Sequence, residues 1–175
     1  MEPVSNLSND SLRLLKLISL YTGLVNGREK WIKSYALCVL IIYGIEKGVF
    51  ETYDYAPVIT LWHGYMRAVN MSMEAEADLN HLRKMGLIKK LRLATSKYRF
   101  VTAYMVSDKG EKLLKEIPET VVKKVTVTFT EDGEPADILI DESGETYLEF
   151  PSGRKIKVPI LEIEDVPYRS SPIFY

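Results

Sequence analysis

One stretch of the chain concentrates the side chains that could bind an anion. Residues 81–117 contain ten Lys and Arg against three Asp and Glu, a net charge of +7. Residues 1–80 carry a net charge of −2 and residues 118–175 one of −6, so the whole chain has a net charge of only −1. A short basic segment in an otherwise acidic chain is typical of a surface that meets phosphates or another polyanion.

The basic segment begins in a predicted helix over residues 73–85. Its apolar positions are Ala75, Leu79 and Leu82, spaced four and three residues apart as on one helix face. Ser72 is a suitable N-cap residue for this helix. Acidic side chains cluster in its first turns and basic ones in its last, which favours the helix dipole.

The face opposite this seam carries side chains that could meet base edges in a DNA major groove. The amide of Asn80 offers the donor and acceptor that adenine requires, and His81 and Lys84 can donate to base acceptors or phosphates. The runs 87–93 and 98–106 then alternate like the two strands of a hairpin. We expect a DNA-binding surface made of Ala77, Asn80, His81, Arg83, Lys84, Lys89, Lys90, Arg92, Lys97, Tyr98 and Arg99.

Two motifs connect these elements with a known family. They are LxxLxxxGLI over residues 79–88 and YxVSxxG over residues 104–110. With them, residues 57–117 resemble the winged helix-turn-helix domains of MarR-like and PadR-like transcriptional regulators. The resemblance implies that the 73–85 helix is the recognition helix, that the hairpin is the wing, and that the next helix, 108–117, packs in a dimer.

Three further helices are expected before the basic segment. The first begins at Asn9 and is apolar on several sides. The second, Arg28–Glu46, is too apolar for a half-exposed element, so it belongs either to the core or to a dimer interface. After a turn-like linker at Glu51–Pro57, a short helix, Leu61–Val69, is predicted with Thr60 as its cap.

Beyond residue 118 the pattern becomes that of β structure. Residues 152–166 carry a resemblance to small SH3-like or PRC-type barrels, and the acidic charge argues against direct DNA contact. We therefore predict an α+β fold with a helical winged-helix domain at 1–118 and a small antiparallel β domain at 119–175. The expected strands are 121–130, 137–140, 146–150, 155–158 and 161–163.

Several classes of function are disfavoured. His63 and His81 have no partners at metal-ligand spacing, and neither a glycine-rich phosphate loop nor a nucleophile motif occurs. The acidic residues of 131–145 lack the spacing of a calcium loop, so we interpret them as solvated turns. We expect no enzyme activity, no metal and no cofactor.

The single cysteine and the N-terminus bear on location. Cys38 lies in an apolar run, where a buried packing role is expected, and its lone presence suits a reducing compartment. No secretory signal is visible, and the apolar run 36–43 is far shorter than the ~20 residues that span a bilayer. A cytoplasmic protein that does not enter the membrane is predicted.

These features predict a homodimeric DNA-binding transcriptional regulator that dimerises through its N-terminal helices. One feature argues against it, since Glu74, Glu76 and Asp78 place three carboxylates in the half of the recognition helix that usually approaches phosphates. The alternative is a protein-interaction module, in which the winged helix and the acidic β domain bind protein partners.

Overall fold

The computed structural model describes residues 7–62, 65–94, 96 and 101–162, and these have an α+β fold. The helices are α1 Asn9–Tyr21, α2 Ser34–Glu46, α3 Met73–Lys84, α4 Asp108–Glu116 and α5 Glu119–Phe129. The strands are β1 Gly23–Val25, β2 Arg28–Lys30, β3 Ile32–Lys33, β4 Ala56–Trp62, β5 Tyr65–Met71, β6 Ile88–Leu93, β7 Val101–Val106, β8 Thr130–Glu131, β9 Glu134–Pro135, β10 Asp137–Ile140, β11 Thr146–Glu149 and β12 Lys155–Val158.

The first helix lies in the centre of the core. Ser8 caps α1 by accepting a hydrogen bond from the backbone N–H of Ser11 at 3.0 Å. Leu12, Leu14 and Leu15 are buried although they point in different directions around the helix. The prediction of a helix that is apolar on several sides is confirmed.

The predicted helix Arg28–Glu46 is wrong in its first six residues. Strands β1 and β2 form a hairpin around Asn26 and Gly27, both with positive φ, and Ile32 of β3 pairs with Tyr104. An Asn-Gly pair is a strong hairpin signal because both residues tolerate the left-handed turn. Helix α2 begins only at Ser34, and its apolar side chains are buried within the same chain, which favours the core over the dimer interface.

The predicted helix Leu61–Val69 is wrong. Its described residues belong to the antiparallel hairpin β4–β5, in which Val58 pairs with Val69 and Leu61 with Met66. The predicted linker accordingly ends at Tyr55 instead of Pro57. Strand β4 is rich in β-branched and aromatic residues, which fit a pleated surface better than a helix.

The elements around the basic segment agree with the sequence. Helix α3 is followed by β6 and β7, which pair in the order β3–β7–β6, and then by α4. Ser107 caps α4 by accepting from the N–H of Gly110 at 3.0 Å. The second predicted strand is described from Val101 onward, and residues 97–100 lie outside the described part.

The predicted strand 121–130 is wrong, because residues 119–129 form helix α5. Val122, Val125 and Phe129 are buried at a spacing of three and four residues. The helix packs against α1, and the guanidinium of Arg13 donates to the carbonyl of Val121 at 3.0 Å. Burial against α1 outweighs the β propensity of the alternating Val and Thr residues.

The remaining strands form small antiparallel sheets. The strands expected at 137–140, 146–150 and 155–158 are confirmed as the meander β10–β11–β12, and β8 pairs with β9. Leu161 forms an isolated bridge with Val69, while residue 163 lies outside the described part. Leu148, Phe150 and Val158 join the same buried cluster as α1. Closure into a barrel and the boundary at 118/119 stay predictions.

Candidate nucleic-acid interface

Helix α3 is anchored at both ends as the sequence predicts. Ser72 accepts a hydrogen bond from the N–H of Ala75 at 3.2 Å. At the other end Gly86 has a φ of +78°, and the N–H of Leu87 donates to the carbonyl of Leu82 at 3.0 Å. This is a Schellman ending, which satisfies carbonyls that the helix leaves unpaired. The rotation of α3 about its axis is set by its buried seam, Ala75, Leu79 and Leu82.

The α3 side chains of the predicted DNA-binding surface are exposed, as the sequence predicts. Ala77, Asn80, His81, Arg83 and Lys84 are all exposed. None of the four polar side chains among them makes a hydrogen bond or an ion pair with a described residue. Their donors are therefore available to a ligand, within about 6 Å of helix length.

The three carboxylates of α3 are not equivalent. The hydroxyl of Tyr53 donates to Asp78 Oδ2 at 2.6 Å, and the N–H of Asp54 donates to Glu74 Oε1 at 3.2 Å. Hydrogen bonds from its own backbone N–H and from Asp54 hold the pKa of Glu74 below its ordinary value. Two of the three charges thus bind the loop before β4, and Glu76 is the one left without such a bond among the described residues.

This partnership is the feature that sequence reasoning missed. It joins residues 20 to 25 positions apart, and nothing in the spacing of α3 indicates it. Buried Asp10 holds the same loop by accepting hydrogen bonds from the N–H groups of Glu51 and Thr52. These contacts hold the carboxylates of Glu74 and Asp78 against the loop without removing their negative charge, so the N-terminal half of α3 stays acidic.

Strand β6 divides its cations between two faces. Lys90 pairs with Tyr104 and Arg92 with Thr102, which places both cations on one face of the sheet. Lys89 lies on the other face, where its ammonium is 3.9 Å from a carboxylate oxygen of Glu29. All three side chains are exposed as predicted. The predicted site residues Lys97, Tyr98 and Arg99 lie outside the described residues.

A crevice of about 330 Å³ adjoins this surface, between α2, α3, the hairpin β4–β5 and the sheet. Tyr35, Trp62 and Tyr104 line it, with Glu76 and Lys90 among its polar groups. The Tyr35 and Trp62 rings meet edge to face at 6.1 Å. Cation and carboxylate both border this crevice, so it presents no uniform charge to a ligand.

Cys38 also borders the crevice, and its sulfur is 3.4 Å from the carbonyl oxygen of Asn70. Burial, helped by the charge of Glu76, raises the pKa of the Cys38 thiol to about 12. The thiol therefore stays protonated at neutral pH, which agrees with a packing role.

Features of two other classes of protein, metal sites and membrane spans, bear on the site. Across residues 7–62, 65–94, 96 and 101–162, no group of three or more His, Cys, Asp or Glu is arranged to hold a metal ion. In the same residues no helix has the length and apolar character needed to cross a membrane.

The chain belongs to the Uncharacterized protein MJ1567 family, whose model matches residues 10–157. The match includes nearly all of α1 and of β12 and every element between them, so it takes in the whole α3–β6 surface. No curated protein and no solved structure matches the chain.

Proposed function

We propose that this chain is a DNA-binding regulator that contacts duplex DNA with α3 and β6 of a winged-helix module. The cluster of exposed polar side chains at Asn80, His81, Arg83 and Lys84 supports this proposal most strongly. It lies on a rigidly capped helix, opposite a buried seam, in the one basic segment of the chain. A helix of this kind fits the major groove, and its amide and cations match base edges and phosphates.

The order of the elements supports a winged-helix module that begins earlier in the chain than residues 57–117, the range that resembles the MarR-like and PadR-like regulators. Helices α1 and α2 precede α3, the strands β6 and β7 follow it, and the short strand β3 pairs with β7. In a winged-helix module of this kind, α1, α2 and α3 are the three helices and β6–β7 is the wing. The hairpin β4–β5 is then an insertion between the second and third helices.

The charge pattern favours entry of α3 by its C-terminal half. Glu74 and Asp78 bind the loop at residues 53–54, whereas His81, Arg83 and Lys84 lie in the last turn. Each phosphate neutralised by such a cation releases counterions, so affinity falls steeply as salt rises, with a slope of about −0.9 per contact on logarithmic axes.

The test is fluorescence anisotropy with a mixed-sequence duplex across a salt series, using the double variant Arg83→Glu/Lys84→Glu. We expect salt-dependent binding by the unmodified chain, at least tenfold weaker binding by the variant, and a salt slope reduced by about two. The matched control is Lys123→Glu/Lys124→Glu, two adjacent exposed lysines on α5 with the same charge change. Its affinity should stay within about threefold.

Two results would overturn the DNA proposal. One is binding too weak to detect at low salt, and the other is an equal loss of affinity in the α3 and α5 variants. Either result would favour the second candidate, a protein-interaction module. The observation that supports this candidate is a set of exposed apolar side chains on the hairpin β4–β5.

A further inference from the structure

The hairpin β4–β5 has one buried face and one exposed apolar face. Trp62 and Val69 point inward, with exposures of 4% and 0%. Ile59, Leu61 and Met66, which we call the outer face, are exposed by 68%, 60% and 67% although all three are large and apolar. Leu61 pairs directly with Met66, so these side chains form one continuous surface.

The two edges of this hairpin differ. The edge of β5 is covered, because the N–H of Asn70 donates to the carbonyl of Ile160 at 2.7 Å and the N–H of Glu162 donates to that of Ala68 at 3.0 Å. Strand β4 pairs with β5 alone among the described strands. An open edge next to an apolar face is a template for pairing with another chain.

Strand β4 lacks the features that protect open edges in other proteins. Its sequence, APVITLW, contains no charged residue, and its one proline, Pro57, lies next to the start. Edge strands that must stay unpaired usually carry lysines, bulges or inward-pointing charges. An uncharged edge of seven residues is therefore suited to being covered.

We propose that a second copy of this chain covers the outer face and the β4 edge, making the protein a homodimer. The low charge of the hairpin favours a second copy of the chain as the partner. Arg67 is the one charged residue of 56–71, and its guanidinium donates to the carbonyl of Ser143. Two such hairpins meet about a twofold axis without like-charge repulsion.

The available area fits a dimer of modest size. Side chains of this size expose on the order of 100 Å² each at such fractions, so the three residues of the outer face offer roughly 300–400 Å² per protomer. A standard interface buries about 800 Å² per partner. The backbone edge of β4 and the exposed Pro57, which the register places on the same face, add to this area.

The proposed interface differs from the one expected from the sequence. The apolar residues of α1 and α2 are buried in their own chain, so they have little surface left for a partner. The hairpin is inserted just before α3, and a dimer through it brings two copies of α3 into one particle. The dimer goes beyond the proposed DNA binding and is measured without DNA.

Sedimentation velocity of the full chain tests the dimer over concentrations from roughly nanomolar to about 100 µM. We expect the unmodified chain to have twice its monomer mass of 20.0 kDa at the upper concentrations. The variant Ile59→Glu/Leu61→Glu should sediment as a monomer, with a dissociation constant raised at least 100-fold and an unchanged circular dichroism spectrum. The control Val127→Glu changes an equally exposed apolar residue of α5, exposed by 67%, and should remain a dimer.

Hydrogen exchange gives a second readout that does not depend on the charged variant folding. In the unmodified chain the amides of β4 should exchange more slowly at high than at low concentration, while those of β11 should not change. An unmodified chain that stays at monomer mass at every concentration would overturn the proposal. So would a hairpin variant that dimerises as well as Val127→Glu, or β4 amides whose exchange is independent of concentration.

Discussion

The substitution Gly110→Ala tests why the YxVSxxG motif needs a glycine in the first turn of α4. A Cβ atom at residue 110 would lie 2.3 Å from the carbonyl oxygen of Leu87, more than 1 Å closer than ordinary contact at 3.4 Å. It would also lie 3.0 Å from Val106 Cγ2 and 3.3 Å from Leu15 Cδ1. The added methyl group therefore meets backbone on one side and the core on the other.

The backbone at this point has little freedom to move away. The N–H of Ser107 donates to the carbonyl of Leu87 at 3.1 Å, and the hydroxyl of Ser107 donates to the carbonyl of Gly86 at 2.6 Å. Alanine would gain about 1 kcal/mol of helix propensity over glycine. Overpacking costs about 1–3 kcal/mol and sometimes more, and a clash with fixed backbone belongs at the upper end.

We therefore expect Gly110→Ala to lower the free energy of unfolding by about 2 kcal/mol. For a chain of this length that corresponds to a fall in Tm of roughly 4–8 °C. Urea unfolding followed by circular dichroism measures the change, provided that the slope with denaturant stays constant. Lys112→Ala, an exposed change in the same helix, should stay within about 0.5 kcal/mol. A Gly110→Ala protein as stable as the unmodified chain would refute the steric explanation.

Two further predictions concern the loop that binds the carboxylates of α3. Burial acts to raise the pKa of Asp10, but hydrogen bonds from Thr52, Glu51 and Arg13 outweigh it and hold the pKa below 3.8. Asp10 therefore stabilises the fold above pH 3.8, and this contribution is lost as the pH falls through its folded pKa. Urea unfolding measures the difference in stability between the unmodified chain and Asp10→Asn. This difference should be large at pH 7 and shrink below pH 3.8. A difference that does not depend on pH would contradict the argument. Tyr53→Phe should lower the free energy of unfolding by about 1.5–3 kcal/mol, because it removes a bond to a charged acceptor, and a near-neutral effect would show that this contact is not formed in solution.

The elements that the sequence predicted well are those with chemical signals at their ends. Helices α3 and α4 each follow a serine that caps them, and α3 ends at a glycine in the left-handed conformation. These signals are local, because a cap and its partner lie within three residues of each other. The exposed face of α3 followed from the position of its seam for the same reason.

Predictions failed where both helical and strand spacing were satisfied. Trp62 and Val69 are seven residues apart, as on one helix face, yet a hairpin also places them on one face. Val122 and Val125 lie in a run that alternates like a strand, yet their contact with α1 makes it a helix. Tertiary packing decided both cases, and a local pattern does not contain that information.

The candidate site was predictable only in part for a related reason. The exposure of Asn80, His81 and Lys84 follows from helix geometry alone. The hydrogen bond that Asp78 accepts comes from Tyr53, which lies in an irregular loop whose sequence has no periodicity. The acidic character of α3 was visible in the sequence, whereas the donors that bind Glu74 and Asp78 were not.

The closure of β5 by residues 160–162 has a consequence for the order in which the chain can fold during synthesis. The amide of Asn70 donates to the carbonyl of Pro159 and to the carboxylate of Glu162, partners 89 and 92 positions later. At about 5–20 residues per second, a ribosome needs roughly 5–20 s to make them. For that interval the apolar hairpin of a nascent chain has both edges open, so newly made copies are most prone to aggregation before residues 159–162 emerge.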